Sequence, residues 1–201
     1  MQTTAHVLMV RPARFVSNPE TARSNAFQQA GLAADAAQRA ALEEFDAYVA
    51  LLRGAGVDVM VIDDTPEPHT PDSIFPNNWV SFHADGRALL YPMEAENRRL
   101  ERRPEVLAAV SARFALKESV DLSGFERTGC YLEGTGSMVF DRQHRIAYVC
   151  RSSRSHPVAM QAFVAQTGYR AVWFDAVDRR GVPVYHTNVL MGVGTRVAVV
   201  C

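Results

Sequence analysis

Three short stretches hold the residues whose chemistry stands out from an otherwise apolar background. "PDSIFPNNW" ends with two adjacent amides, Asn77 and Asn78, and begins with the acid Asp72. "YLEGTGSM" sets Glu133 between a leucine and a glycine, and "VYHTNV" holds His186 with Asn188 two residues on. A carboxylate accepts hydrogen bonds, an amide donates and accepts, and an imidazole exchanges protons near neutral pH. As a set they suit a site for a small polar ligand. Singly, each has a plainer explanation. Asp72 before Ser73 is a turn or cap residue, and the asparagines satisfy backbone groups where a strand begins. Glu133 caps a turn whose glycines supply backbone freedom, and His186 is a hydrogen-bonded structural histidine.

The elements that must carry these residues repeat along the chain as helix, strand, loop and hairpin. A helix opens near Asp35, with Leu42, Phe45, Val49 and Leu52 as its apolar stripe and Gly54 as its stop. "VDVMVID" (57–63) alternates as a strand, and "NWVSF" and "RALLYP" form a hairpin through Asp85-Gly86. The second unit begins at Pro104, a residue suited to a first helical turn, and buries Val106, Leu107, Val110 and Phe114. Its strand is "ALKESVDL", and its hairpin is "YLEGTGSMVF" with "RIAYVC". The third has a helix from Pro157 that turns Met160, Phe163 and Val164 inward and stops at Gly168. Its strand is "YRAVWFD", and its hairpin joins "VYHTNVLMGV" to "TRVAVVC" around Gly192–Gly194.

In this reading Asn78, Glu133 and His186 each fall at the start of the first hairpin strand of successive units. If the units surround a common axis, the three residues meet at one end of it. Burying strongly polar side chains beside apolar strands without partners is costly, so a shared polar site is expected.

The 201 residues are 48% hydrophobic and 21% charged, with a formal net charge of −1. This is an ordinary globular composition. Near-neutral charge without a long basic run argues against nucleic acid or an anionic membrane as the main partner. No apolar stretch reaches ~18 residues, and "MQTTAHVLMV" lacks the charged start and cleavage site of a signal peptide. Three cysteines in neither a CxxC pair nor an even framework point to a reducing cytoplasm. Six scattered histidines without HxH or HxxxH spacing argue against a metal site.

"PDSIFPNNW", "YPM…NRRLERR", "LEGTGSMV" and "HTNV", in this order, resemble the guanidino-group-modifying enzymes of the pentein superfamily. These include arginine and agmatine deiminases, dimethylarginine dimethylaminohydrolases and amidinotransferases. The nearest likeness is to the bacterial citrulline-hydrolase, arginine-deiminase-related branch, and it covers almost all of residues 6–201. The resemblance implies an α/β propeller of five ββαβ units around a pseudo-fivefold axis. About three units would be present here, in one incomplete domain spanning residues 1–201. It also implies a late cysteine nucleophile, matched by none of Cys130, Cys150 and Cys201. The open apolar strand ending at Cys201 fits the same expectation of a missing C-terminal part, or of self-association through that edge.

The resemblance assigns roles to residues of this chain. His186 would protonate the leaving nitrogen and later activate water, and Glu133 would orient the imidazole and stabilise its cation. Asp72 would contact substrate nitrogens. Arg98 or Arg99, and Arg154, would hold a substrate α-carboxylate through paired donors; solvated surface charge is the competing explanation for these arginines. Where relatives that bind guanidinium carry acids, this chain has amides, at Asn78 and at Asn188 beyond the histidine, with Asn77 beside the first. Neutral amides suit a neutral ureido group better than a cation. The expected reaction is therefore citrulline to ornithine, ammonia and carbon dioxide, with no cofactor. A deiminase, dihydrolase or amidinotransferase is the alternative among enzymes; a non-catalytic binding or scaffold fragment, or a plain α/β structural domain, is the alternative outside them.

Overall fold

The computed structural model of the chain describes residues 2–22, 25, 28 and 33–201, which divide into two units. The first comprises Thr4–Pro76 with Ala95–Arg103. It contains β1 (His6–Arg11), α1 (Pro19–Ala22), α2 (Ala34–Gly54), β2 (Asp58–Asp63) and α3 (Glu96–Arg99). β1, "HVLMVR", was not among the expected strands. It pairs in parallel with β2, from His6 opposite Asp58 to Arg11 opposite Asp63. Parallel neighbours need a long crossover, and α2 lies within it. The expected stripe forms the inner face of α2: Val49 is buried, and Leu42, Phe45 and Leu52 are half-buried.

The larger unit comprises Asn77–Glu94 and Pro104–Cys201, with Gln2 and Thr3. β3 (Val80–Phe82) and β4 (Arg87–Leu90) form an antiparallel hairpin; α4 (Pro104–Arg113) leads to β5 (Glu118–Asp121), which pairs in parallel with β4. The same order returns further on. The short helix α5 (Gly134–Ser137) precedes the hairpin of β6 (Met138–Asp141) and β7 (Ile146–Cys150), and α6 (Pro157–Thr167) leads to β8 (Arg170–Phe174), parallel to β7. β9 (Met191–Val193) and β10 (Ala198–Val200) form a further hairpin, turning at Gly194–Val197 rather than at Gly192–Gly194. Gly168 ends α6 in the left-handed conformation, with φ +70°, as the sequence predicted.

Two expectations need correction. In the larger unit each helix–strand segment joins the sheet of the hairpin before it, so the repeat there is phased ββαβ rather than helix first. The residues proposed to begin hairpin strands instead lie in or beside helical turns. Asn78 closes a 3-10 turn, Pro76–Asn78; Glu133 immediately precedes α5; His186 immediately precedes a 3-10 turn, Thr187–Val189. Asparagine and threonine side chains bond readily to nearby backbone, and glycine accepts positive φ, as Gly134 does, so these residues favour turns over the extended strand.

The core lies between these two sheets' apolar faces and α6. Leu89, Tyr91, Leu132, Met138, Ala147, Val149 and Phe163 are essentially inaccessible. Phe140 and Phe163 stack with centroids 5.5 Å apart. At roughly 1.5–3 kcal/mol for each large apolar side chain buried, this cluster can bear the cost of polar groups at the edge of the sheets.

Candidate active site

Asn77 and Asn78 ahead of β3, and the turns ahead of β6 and β9, belong to the larger unit and meet one another. Glu133 is fully buried and His186 is 5% exposed. His186 Nε2 lies 2.8 Å from Glu133 Oε2, although 53 residues separate them in the chain. Arg154 Nη1 donates to the same oxygen at 3.2 Å, and the Glu94 backbone N–H donates to Oε1 at 3.1 Å. One carboxylate is therefore shared by a permanent cation, a titratable ring and a backbone donor. Arg154 also pairs through Nε with Glu94 Oε2 at 3.2 Å, and its guanidinium lies over the Tyr185 ring, 4.8 Å from the centroid.

Two glycines let the turns approach this closely. Gly134 has φ +44°, and a Cβ there would press on the Asn77 carbonyl and come within 2.9 Å of the Asn78 carbonyl oxygen. Gly136 is the floor beneath two site side chains. A Cβ at that position would collide with the Asn78 amide nitrogen and lie 2.8 Å from both Nδ1 and Cε1 of His186. Asn78, 3% exposed, and the His186 ring are thereby brought to one place. Thr135 Oγ1 donates to the Asn77 carbonyl at 3.3 Å, adding a further tie between the first two turns.

Asn77 is half-buried, and Asn188, in the turn after His186, is exposed. The remaining candidates belong to the smaller unit. There Asp72 Oδ2 accepts from Asn18 Nδ2 at 2.7 Å and Thr21 Oγ1 at 3.2 Å. Arg98 is not surface charge. It is 2% exposed and bonds bidentately to Glu101, Nε to Oε1 at 2.8 Å and Nη2 to Oε2 at 3.0 Å, with Asp72 Oδ2 3.8 Å from Nε. Arg99 is half-exposed, 3.7 Å from the exposed Glu96. Arg154, 3% exposed, is likewise no solvated arginine. Both buried guanidinium groups lie against protein carboxylates, because an unpaired charge at such depth would be prohibitively costly.

Sequence reasoning missed Glu94, Gly136, Ser137 and Thr187. The motif strings contained the last three, and Glu94 lies in the gap of "YPM…NRRLERR", yet nothing in spacing or periodicity distinguishes a glycine kept for clearance or a hydroxyl kept for a backbone bond.

The thiols are placed differently. Cys150 ends β7, with Sγ 3.4 Å from the Val184 carbonyl oxygen; burial raises its pKa. Cys130 is buried, with Sγ 3.6 Å from the Thr128 carbonyl oxygen, and Cys201 is exposed. Among the described residues no group of His, Cys, Asp and Glu is arranged to hold a metal ion, and no helix is long and apolar enough to cross a membrane.

This fold recurs in solved structures. The substrate-bound N-terminal domain of ArgZ, an arginine dihydrolase from the ornithine–ammonia cycle in Cyanobacteria, matches with TM-score 0.71 and 18% identity, over 96% of this chain and 65% of that one. DDAH from Pseudomonas aeruginosa, complexed with citrulline, matches with TM-score 0.65 and 18% identity, over 94% and 65%. AgrE in its ternary complex with ornithine and NAD+ gives TM-score 0.70 and 17% identity, over 97% and 26%. The chain thus spans just under two thirds of the first two. Comparison with curated protein sequences returned no match. The fold is that of the pentein superfamily of guanidino-group-modifying enzymes. Residues 11–201 match the family described as N,N dimethylarginine dimethylhydrolase, eukaryotic, and the chain belongs to that family.

Proposed function

We propose that this chain carries the acid–base half of a cysteine-dependent hydrolase that cleaves a C–N bond of a ureido or guanidino amino acid, with citrulline preferred. The observation that carries the reading is the buried Glu133–His186 pair, 2.8 Å apart, with Asn78 alongside over Gly136. An ionised carboxylate only accepts, so the proton of the pair sits on Nε2 and Nδ1 is the nitrogen that works on substrate. His186 gives a proton to the leaving nitrogen and later takes one from water. Glu133 holds the ring in that tautomer and stabilises its cation, as the carboxylate of a triad does. Arg154 and the Glu94 N–H hold Glu133 in turn.

Citrulline is favoured by what Asn78 is. A buried neutral amide beside the imidazole offers no countercharge to a guanidinium, but it can donate to a ureido oxygen. Citrulline and water then give ornithine, ammonia and carbon dioxide. The attacking thiol is proposed to come from outside residues 1–201, which would form part of one larger catalytic domain. Cys150 has its thiol directed at a carbonyl oxygen and its pKa raised by burial, the opposite of an activated nucleophile. Asp72, Asn77, Arg99 and Asn188 are proposed as substrate contacts on the resemblance alone. Arg98, bound to Glu101, is the less suitable of the two neighbouring arginines. A reducing, cytoplasmic setting fits three free cysteines. Self-association through β10, where Val199 and Val200 and the preceding Val197 are exposed, would show in sedimentation of the 201-residue protein.

The family match favours a second reading, hydrolysis of a dimethylated arginine with release of dimethylamine. Both readings are tested by assaying the full-length gene product with citrulline, arginine and Nω,Nω-dimethylarginine, following ammonia, dimethylamine and ornithine. Citrulline should give the highest kcat/KM. Dominant dimethylamine release would overturn citrulline as substrate, and no turnover of any of the three would overturn the hydrolase reading. Labelling by a thiol-reactive amidine should spare Cys130, Cys150 and Cys201; modification of one of them in proportion to lost turnover would place the nucleophile within this chain.

A further inference from the structure

We propose that Thr187 is a positioning residue whose hydroxyl acts as a side-chain rung in the β6–β7 ladder and so sets His186 against Glu133. The antiparallel register ends with Met138 opposite Val149. One step further, Ser137 would face Cys150, but α5 turns the chain away there. The Thr187 hydroxyl stands between them. It accepts from the Cys150 N–H at 2.7 Å and donates to the Ser137 carbonyl at 2.6 Å. Thr187 is wholly inaccessible, so water cannot take over either bond.

What hangs from this rung is the candidate acid–base pair. His186 is the residue next to Thr187, and Ser137 closes the helical turn that starts after Glu133. The Ser137 hydroxyl accepts from the Glu133 N–H at 2.9 Å and donates to the Arg154 carbonyl. Two buried hydroxyls, each used as donor and acceptor, therefore tie the backbones around Glu133, Arg154 and His186 to β7. That strand is central in its sheet, with β6 on one side and β8 on the other. The separation of the ring and the carboxylate is thus set by a hydrogen-bonded sheet rather than by their own contact. Thr187 touches no reacting atom; it acts through His186. The consequence for turnover rests on the acid–base role proposed above, whereas the geometric claim does not.

The decisive comparison is Thr187→Val, which keeps the shape and removes the hydroxyl, against Thr187→Ser, which keeps the hydroxyl. In 15N-histidine-labelled 201-residue protein, the low-field Nε2–H resonance of His186 should persist in Thr187→Ser and be lost or move upfield in Thr187→Val. In the full-length gene product, kcat should fall about 10- to 100-fold in Thr187→Val with KM little changed, as expected for misplaced groups; Thr187→Ser should recover most of it. A His186 resonance unchanged in Thr187→Val, or Thr187→Ser as impaired as Thr187→Val, overturns the proposal. If Thr187→Val does not fold, Thr187→Ala is read by the same resonance with the same two outcomes. Wild-type protein that shows the resonance but turns over none of the three substrates would refute the function and leave the rung standing.

Discussion

Each of the two units buries an arginine against a glutamate, and the two pairs are built in opposite ways. In the smaller unit Arg98 and Glu101 are three residues apart and close on each other bidentately, at 2.8 and 3.0 Å. In the larger unit Glu133 meets Arg154 from 21 residues away and His186 from 53. The first pair is finished within one helical turn, and each fork of the guanidinium has its own carboxylate oxygen. The second is assembled from separate loops, shares one oxygen between two nitrogen groups, and lies beside a glycine that keeps the floor clear. A buried ion pair alone is therefore a poor sign of function. A carboxylate held by a permanent cation while also contacting a titratable ring is a better one.

Single substitutions in the two clusters test that contrast. The largest effect is expected at Glu133. Glu133→Gln should lower kcat of the full-length gene product by about 10²–10⁴-fold, read by ammonia release, while chemical denaturation still shows a folded protein. Glu101→Gln should do the reverse. Weakening the partner of the buried Arg98 should cost stability, up to about 3–5 kcal/mol, seen in urea midpoints, with kcat of the folded fraction kept. If both variants behave alike, the two clusters are not functionally different. Next in size is Gly136→Ala. The added methyl must displace the His186 ring or the Asn78 amide, and about 1–3 kcal/mol of overpacking is expected, with a loss of turnover greater than that loss of stability explains.

The smallest effect concerns a second histidine in the larger unit, half-buried. His83 bonds to the Ser81 hydroxyl at 2.8 Å rather than to a carboxylate. Burial, reinforced by Arg142, pushes its pKa down to about 4 from the ordinary 6.5. The unfolded chain therefore takes up this proton first as pH falls. The stability linked to neutral His83 is full above pH 6.5 and declines between 6.5 and about 4. Urea titrations across pH 4.5–7.5 should show that slope in the wild type and a shallower one in His83→Gln. An equal slope in both would remove His83 as its source.

Much of the frame was legible. The stripes of α2, α4 and α6 stood out because one face repeats with helical period, and the Asp85-Gly86 turn because few dipeptides suit so tight a reversal. The candidate site was legible as residue types at recurring places: Asn78, Glu133 and His186 do lie ahead of successive hairpins. Their local conformation was misread as strand, since the apolar residues further on alternate well and the helical turns that hold or follow them are only three or four residues long. The pairing of β4 with β5 and of β7 with β8 was hidden as well, because parallel partners lie far apart in sequence and leave no local signature.

The helices, the hairpins and the polar residues that interrupt them follow from periodicity and turn chemistry over a few neighbours. Packing between distant segments, and nothing local, buries Arg154 against carboxylates, and no periodicity marks Arg98 as buried against its own. The same packing makes Gly136 clear space for two side chains and lets the Thr187 hydroxyl bridge Ser137 and Cys150. Each of these depends on atoms brought within about 3 Å by the packing of distant segments, and no window of adjacent residues contains that distance.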